Sequence, residues 1–281
     1  MKIRIKNKTI GDNSPPFFVA EVGINHNGEK NIAKKLISKA AKAGADAVKF
    51  QTFKASDLST PDSKYFPIFS KFELDDSDFA ELSDYAKKEN IIFFSTPSSN
   101  DSVDLLDKIK VPMFKISSGD LTNIPLIEYT ASKKKPIIIS TGMSTIKEIN
   151  TAVRAILKKK NKKIIILHSV SGYPTPTNEA NLNVIRTLTQ QFPFPIGFSD
   201  NGKGIEVAGI AAILGAKLIE KHFTLNKNMK GPDHEISADP TDFSKMIMNF
   251  RHAKTILGSF EKKNSKFRER KSNSGKEEFN S

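Results

Sequence analysis

The chain has no cysteine among its 281 residues. That removes disulfides, thiolate nucleophiles and cysteine-ligated zinc, so any metal must be held by histidine and oxygen ligands. No run approaches the roughly 20 apolar residues that a bilayer span requires. The opening residues, Met1-Lys2-Ile3-Arg4-Ile5-Lys6, alternate charged and apolar side chains and contain no apolar leader segment. These absences lead to the expectation of a cytoplasmic protein with no membrane partner. Low-complexity tracts are absent before residue 258, and the apolar fraction of 38% fits a globular core.

Acidic residues are in the minority: 44 Lys and Arg against 31 Asp and Glu give a net charge of +13. The lysines lie in scattered clusters such as Lys133-Lys134-Lys135 and Lys158-Lys159-Lys160. A nucleic-acid surface is expected instead as one basic stripe with interleaved aromatics, so no nucleic-acid partner is expected. A positive field does favour an anionic substrate.

What the chain has is a rhythm. Eight apolar runs end in polar or charged residues, each followed by a helical stretch. The runs close at Glu21, Lys49-Phe50-Gln51, Ser95-Thr96, Lys115-Ile116-Ser117, Ser140-Thr141, His168-Ser169, Ser199-Asp200 and Glu220-Lys221-His222. Strands are predicted at 17–22, 47–51, 91–95, 113–116, 137–140, 164–167, 196–198 and 217–223. Their strict alternation with helices predicts an α/β fold, a (β/α)8 TIM barrel, over residues 17–257. A hairpin over residues 1–16, turning around Gly11-Asp12-Asn13, is expected before it. Residues 258–281 are expected to be a charged, disordered tail. A long loop at 52–74 is expected to serve function, as loops of that length usually do.

Parallel barrels carry their chemistry at the C-terminal strand ends. A buried strand does not end in Lys or Glu without cause, because an unpaired buried charge is costly. Residues two apart on a strand share a face, which pairs Lys49 with Gln51 and Glu220 with His222. Glu220 with His222 reads as a metal site, as a carboxylate orienting an imidazole, or as a packed core histidine. Lys49 and Lys115, with Ser117-Ser118-Gly119 and Ser140-Thr141-Gly142, read as a cradle for phosphate or carboxylate. His168 is expected in the core and His252 on the surface.

The wording of the motifs is more specific. Ala20-Glu21-Val22-Gly23-Ile24-Asn25-His26-Asn27-Gly28 and Val48-Lys49-Phe50-Gln51-Thr52 resemble the opening of the sialic acid synthase family. The resemblance continues through Ser95-Thr96-Pro97, Lys115-Ile116-Ser117-Ser118-Gly119-Asp120 and Ser140-Thr141-Gly142-Met143. It extends to Tyr173-Pro174-Thr175-Pro176, Gly197-Phe198-Ser199-Asp200, Glu220-Lys221-His222-Phe223-Thr224 and Gly231-Pro232-Asp233-His234. These motifs fall in order over residues 17–257.

The resemblance implies condensation of phosphoenolpyruvate with an N-acetylmannosamine-type amino sugar, giving a nonulosonic acid and phosphate. It implies phosphoenolpyruvate contacts from Lys49, Thr96, Lys115, Ser118, Ser140 and Ser199. Gln51, Tyr173 and Asp233 would face the sugar. His222 would hold a divalent metal, Mn or Mg, with Glu220 and Glu21 nearby, and Asp120 would handle the attacking water. Asn201 stands where the family usually has a second metal-ligating histidine, which implies weaker binding or a preference for harder cations. Ser171 stands where a phosphate-contacting Asn is common. The resemblance also implies a homodimer in which a small C-terminal domain closes the partner's sugar site. This chain's charged tail falls where that domain is expected to begin. A separate polypeptide then supplies the lid, the sugar binds without it, or the barrel is a catalytically impaired binder. Binding of nucleic acid through the tail is a further alternative.

Overall fold

A computed structural model gives the structure, which describes residues 1–259 and Glu261. The hairpin is formed by β1 (Lys2–Ile5) and β2 (Lys8–Gly11), with Ile5 opposite Lys8. Its turn is therefore at Lys6-Asn7, where Lys6 takes a φ of 51°. Gly11-Asp12-Asn13, the turn expected from sequence, marks the exit from β2 instead.

The barrel begins with β3 (Phe17–Gly23), α1 (Lys30–Lys42) and β4 (Ala47–Thr52). Two short helices follow in the segment expected to be a loop, α2 (Ala55–Leu58) and α3 (Phe66–Phe72). Then come α4 (Asp76–Lys88), β5 (Ile92–Pro97), α5 (Asn100–Lys108), β6 (Phe114–Ile116) and α6 (Ile124–Ser132). The second half contains β7 (Ile137–Ser140), α7 (Ile146–Lys158), β8 (Ile164–Ser169) and α8 (Val184–Gln191). It closes with β9 (Ile196–Asp200), α9 (Glu206–Ile213), β10 (Leu218–His222) and α10 (Pro240–Leu257). Strands β3 to β10 form a closed parallel barrel, sealed where β10 pairs with β3. The expected charged tail lies outside the described residues, apart from Gly258, Ser259 and Glu261.

Two apolar sets organise the interior. One faces the helices; for example, α7 buries Ile149, Ala152, Val153 and Ile156 at helical spacing beneath a Thr145–Glu148 capping box. The other fills the lower barrel with Phe17, Val19, Ala47, Phe94, Ile138, Ile165 and Leu218, capped from below by Ile3, Ile5 and Ile10 of the hairpin. Moving up each strand by twos turns this apolar fill into polar chemistry. Val19 gives way to Glu21, Ala47 to Lys49, Ile138 to Ser140, Leu167 to Ser169 and Leu218 to Glu220. Gly197 is required between the layers: a Cβ there would come within 2.6 Å of Leu167 and 2.5 Å of the Leu218 carbonyl. The barrel is thus a packed plug beneath an open polar mouth.

The lysine clusters act largely as staples around the ring. Lys133 and Lys135 reach Asp104 (2.6 Å) and Asp107 (2.6 Å), and Lys159 reaches Glu128 (3.0 Å). Among the described residues, no helix is long and apolar enough to cross a membrane.

Candidate active site

The three acids, the substrate positions and the two metal positions assigned by motif all line one cavity of about 470 Å³ at the C-terminal mouth. Its floor is a buried tetrad of Glu21, Lys49, Lys115 and Glu220. Lys49 Nζ lies 3.0 Å from Glu21 Oε1 and 3.4 Å from Glu220 Oε1. Lys115 Nζ lies 3.2 Å from the same Glu220 oxygen, and Ser199 Oγ donates to it at 2.9 Å. Lys49 also donates to Thr96 Oγ1 at 3.3 Å. The second carboxylate oxygens, Glu21 Oε2 and Glu220 Oε2, are buried without a hydrogen-bond partner.

Burial and neighbouring charge divide these four groups. Burial alone would push the Glu220 carboxyl up, but Lys115 and Lys49 together hold it below the usual carboxylate range. Glu21 has closer help only from Lys49; burial, with repulsion from Glu220, pushes it up to about 7. Burial would lower Lys49, but Glu21 and Glu220 outweigh it, so this ammonium is held above the ordinary lysine value. Lys115 is brought down to about 8 by burial, which Glu220 opposes and Lys49 reinforces.

Beside the floor is a cup of hydroxyls. Ser118 Oγ accepts the Gly142 amide at 3.0 Å and sits 3.2 Å from Ser169 Oγ. A Cβ on Gly142 would fall 2.7 Å from Ser171 Oγ and 2.8 Å from Ser169 Oγ, so glycine is what lets these hydroxyls converge. Ser140 Oγ is buried without a partner. Asp120, half-buried at the edge, accepts from Ser117 Oγ at 2.6 Å.

The opposite rim carries Gln51, Tyr173, His222 and Asp233. The Tyr173 ring meets His222 edge-on at 6.0 Å, and His222 Nδ1 is 3.8 Å from Asp233 Oδ2. Gly23, at φ 52°, follows Glu21 at a bulge; a side chain there would meet Glu21, Gln51 and Asp233. The loop holding Asp233 is pinned by Ser237 Oγ, which donates to the Asp233 carbonyl at 2.6 Å. Asn25 Nδ2 donates in turn to Ser237 Oγ at 2.9 Å, and His234 bonds Thr224 at 2.7 Å.

A metal was expected at His222 and Asn201, with Glu220 and Glu21 nearby. The two glutamates instead serve the lysines, and the carboxylate beside His222 is Asp233. Among the described residues, no group of three or more histidines and carboxylates is arranged to hold a metal. The donors still fit a hard cation that takes few protein ligands. His222 Nδ1 is buried without a hydrogen-bond partner, and burial keeps its imidazole neutral against the pull of Asp233. Asn201 Nδ2 is tied to the Val170 carbonyl at 2.8 Å, which leaves its amide oxygen as the free donor. The turn bearing Asn201 is stapled from behind by buried Lys221, which pairs with Asp200 at 3.1 Å and donates to the Gly202 carbonyl.

Ser169 and Ser98 also line the cavity, with no role assigned from sequence, as does an apolar wall including Leu58 and Ile68 from the segment that the sequence marked only as a functional loop. For Ser169 a signal existed: it closes an apolar run and lies two residues beyond inward-facing Leu167. His168 is buried and bonds the Ala180 carbonyl at 2.9 Å, while His252 is exposed, as expected for both.

Comparison with known proteins identifies the family. The NeuB family profile matches residues 36–262. An uncharacterized protein of Methanocaldococcus jannaschii is 48% identical over 93% of this chain and 77% of its own length. The N,N'-diacetyllegionaminic acid synthase of Campylobacter jejuni is 42% identical over 88% of this chain and 79% of its own length. The N-acetylneuraminic acid (sialic acid) synthetase of Leptospira borgpetersenii, solved with citrate, matches with a TM-score of 0.91 at 36% identity. That match covers 98% of this chain and 96% of the other. The ordered motifs, the closed barrel and these relatives together make the chain a member of the NeuB family.

Proposed function

We propose that the chain condenses phosphoenolpyruvate with an N-acetylmannosamine-type amino sugar to give a sialic-type nonulosonic acid and phosphate. The observation that carries this reading is one mouth holding two buried lysines and a hydroxyl cup opposite a rim of Gln51, Tyr173, His222 and Asp233. Two cations with converging hydroxyls suit a ligand bearing both a carboxylate and a phosphate. The relatives' names fit such chemistry.

The tetrad holds as many glutamates as lysines, so an incoming anion needs protons kept on the site. Glu21 and Lys115, the two groups brought closest to neutral pH, are the ones able to take them up. Lys49 and Lys115 then hold the anion, with Thr96, Ser118, Ser140 and Ser199 orienting it. Gln51, Tyr173 and Asp233 seat the open-chain sugar with its aldehyde facing the enol carbon, and Asp233 accepts its hydroxyls. A bound Mn or Mg ion, held by His222 and the Asn201 amide oxygen, would polarise that aldehyde as a Lewis acid. The enol carbon forms the new C–C bond as the aldehyde's π pair moves to its oxygen, which takes up a proton held on the site. This leaves positive charge on the carbon that bears the phosphate. Buried carboxylates, Glu220 foremost, stabilise that charge. Water adds to this carbon and gives its proton to Asp120; the C–O bond breaks and phosphate leaves.

The test is phosphate release from phosphoenolpyruvate by the purified chain with Mn or Mg and a panel of N-acetylmannosamine-type acceptors. Release that depends on acceptor and metal and disappears in Lys115→Ala is expected. Phosphoenolpyruvate binding without release, whatever the acceptor, would instead support a binding barrel without turnover.

A further inference from the structure

Two stretches of the sequence motifs have no part in the chemistry above: Asn25-His26-Asn27, after β3, and His234, beside Asp233. Asp233 itself is carried by the connection from β10 to α10. Residues 223–239 of that connection hold no helix, and no strand pairing beyond a bridge of Phe223 to Ala238. Such a loop keeps a carboxylate in one place only if side chains tie it down.

The ties come from the β3–α1 loop, which is itself built on the core. Buried His26 stacks on Phe50 of β4 with ring centres 5.9 Å apart, and its Nδ1 accepts the Gly28 amide at 3.1 Å. Burial pushes the His26 imidazole down to about 4, so it stays neutral and able to accept. On one side of it, Asn25 Nδ2 donates to the Phe223 carbonyl at 3.0 Å and to Ser237 Oγ at 2.9 Å. The Ser237 hydroxyl passes its own hydrogen to the Asp233 carbonyl at 2.6 Å. On the other side, His234 Nε2 donates to Asn27 Oδ1 at 3.2 Å, and His234 Nδ1 meets the Thr224 hydroxyl at 2.7 Å. The loops approach so closely that a Cβ on Gly231 would lie 2.9 Å from His234 Nε2 and 3.0 Å from Asn27 Oδ1.

Asp233 is thus held at its own carbonyl and at the next residue, while its carboxylate reaches to 3.8 Å from His222 Nδ1. Among the described residues, no hydrogen bond joins this network to Lys115 or to the hydroxyl cup. Resting on the condensation reading above, we propose that Asn25, Ser237 and His234 are positioning residues for the acceptor. Acting through Asp233, they set its carboxylate in place before the sugar arrives. The loop is then ordered during folding, and its ordering is not a cost of binding.

The experiment uses the full chain, Mn and the N-acetylmannosamine-type sugar that gives most phosphate release in the panel above. Ser237→Ala, which removes one buried hydroxyl, and His234→Ala are each expected to lower kcat/KM for the acceptor about 10-fold, by displacing Asp233. The Kd of phosphoenolpyruvate, measured by calorimetry with Mn and no acceptor, is expected to stay unchanged in both. His234→Gln, whose amide can donate to Asn27 in place of Nε2, is expected to recover most of the loss. In an Asp233→Ala background, Ser237→Ala is expected to cost nothing further, because it acts through the missing carboxylate. Phosphoenolpyruvate affinity falling in step with acceptor kcat/KM, or a loss that persists in full without the Asp233 carboxylate, overturns the proposal. So do unchanged acceptor kinetics in both alanine variants; each of these results leaves the synthase reading standing. Phosphate released by the wild type with no acceptor consumed overturns the synthase reading, and this proposal with it.

Discussion

At Lys115, burial and charge pull in opposite directions, and the outcome is measurable. Its ammonium is depressed to about 8, so in the free protein it loses its proton as pH rises through that value. A neutral amine does not hold a phosphate or carboxylate. kcat/KM for phosphoenolpyruvate should therefore fall about tenfold per pH unit above that point. The limb in kcat should lie higher, because the bound anion raises the pKa of Lys115 in the complex. Lys115→Arg keeps its charge across the range and should remove the limb; a limb that persists in this variant would assign it to another group. The same burial has a cost to stability. The depressed Lys115 contributes stability that is present above the ordinary lysine range and lost as pH falls through about 8. Glu21, raised to about 7, contributes stability present below the ordinary carboxylate range and lost as pH rises through about 7. Near neutrality both contributions are reduced, a cost that a structural ion pair would have no reason to carry.

At the scale of elements, the strand ends were the most legible feature of the sequence. Alternation by twos, with Glu or Lys in the last positions, was enough to place Glu21, Lys49, Lys115 and Glu220 together on one inward face. The same alternation explains why Lys221 had no assigned role: it points outward, beneath the turn bearing Asn201. The structure of the segment from Lys54 to Leu74, expected only as a functional loop, was not legible. Its helices are too short for a helical period to show, and their apolar side chains face a cavity rather than the core. The hairpin turn was misplaced because Gly11-Asp12-Asn13 is a strong turn signal, while Lys6-Asn7 is not. Around the hydroxyl cup, close approach of elements matters as much as residue type. Gly142→Ala would force a methyl against Ser169 and Ser171 hydroxyls. These are ends of short side chains that can turn aside, so the fold should persist. KM for phosphoenolpyruvate should rise about 10-fold, by loss of a hydrogen-bonded contact to a charged group, with the acceptor KM unchanged. Equal effects on both substrates would show that the cup does not belong to phosphoenolpyruvate alone.

In the whole molecule, stability and chemistry occupy opposite ends of the barrel. The hairpin seals the lower end with Ile3, Ile5 and Ile10, lysine–carboxylate pairs join neighbouring helices, and the upper end is left to buried charge. This separation lets the mouth hold a tetrad that burial disfavours, since the packed layers below set its geometry. The acceptor, by contrast, was beyond sequence reasoning, because it depends on which side chains of a non-periodic segment reach the cavity. The central claim is that the mouth joins two substrates and does not merely hydrolyse one. It is tested most directly by supplying phosphoenolpyruvate labelled with carbon-13 in all its carbons, together with acceptor and Mn, and following the label by mass spectrometry. Label carried into an acid whose mass is the sum of phosphoenolpyruvate, acceptor and water less phosphate, in amounts equal to the phosphate released, is the expected result. Phosphate release with the label left in pyruvate would contradict it.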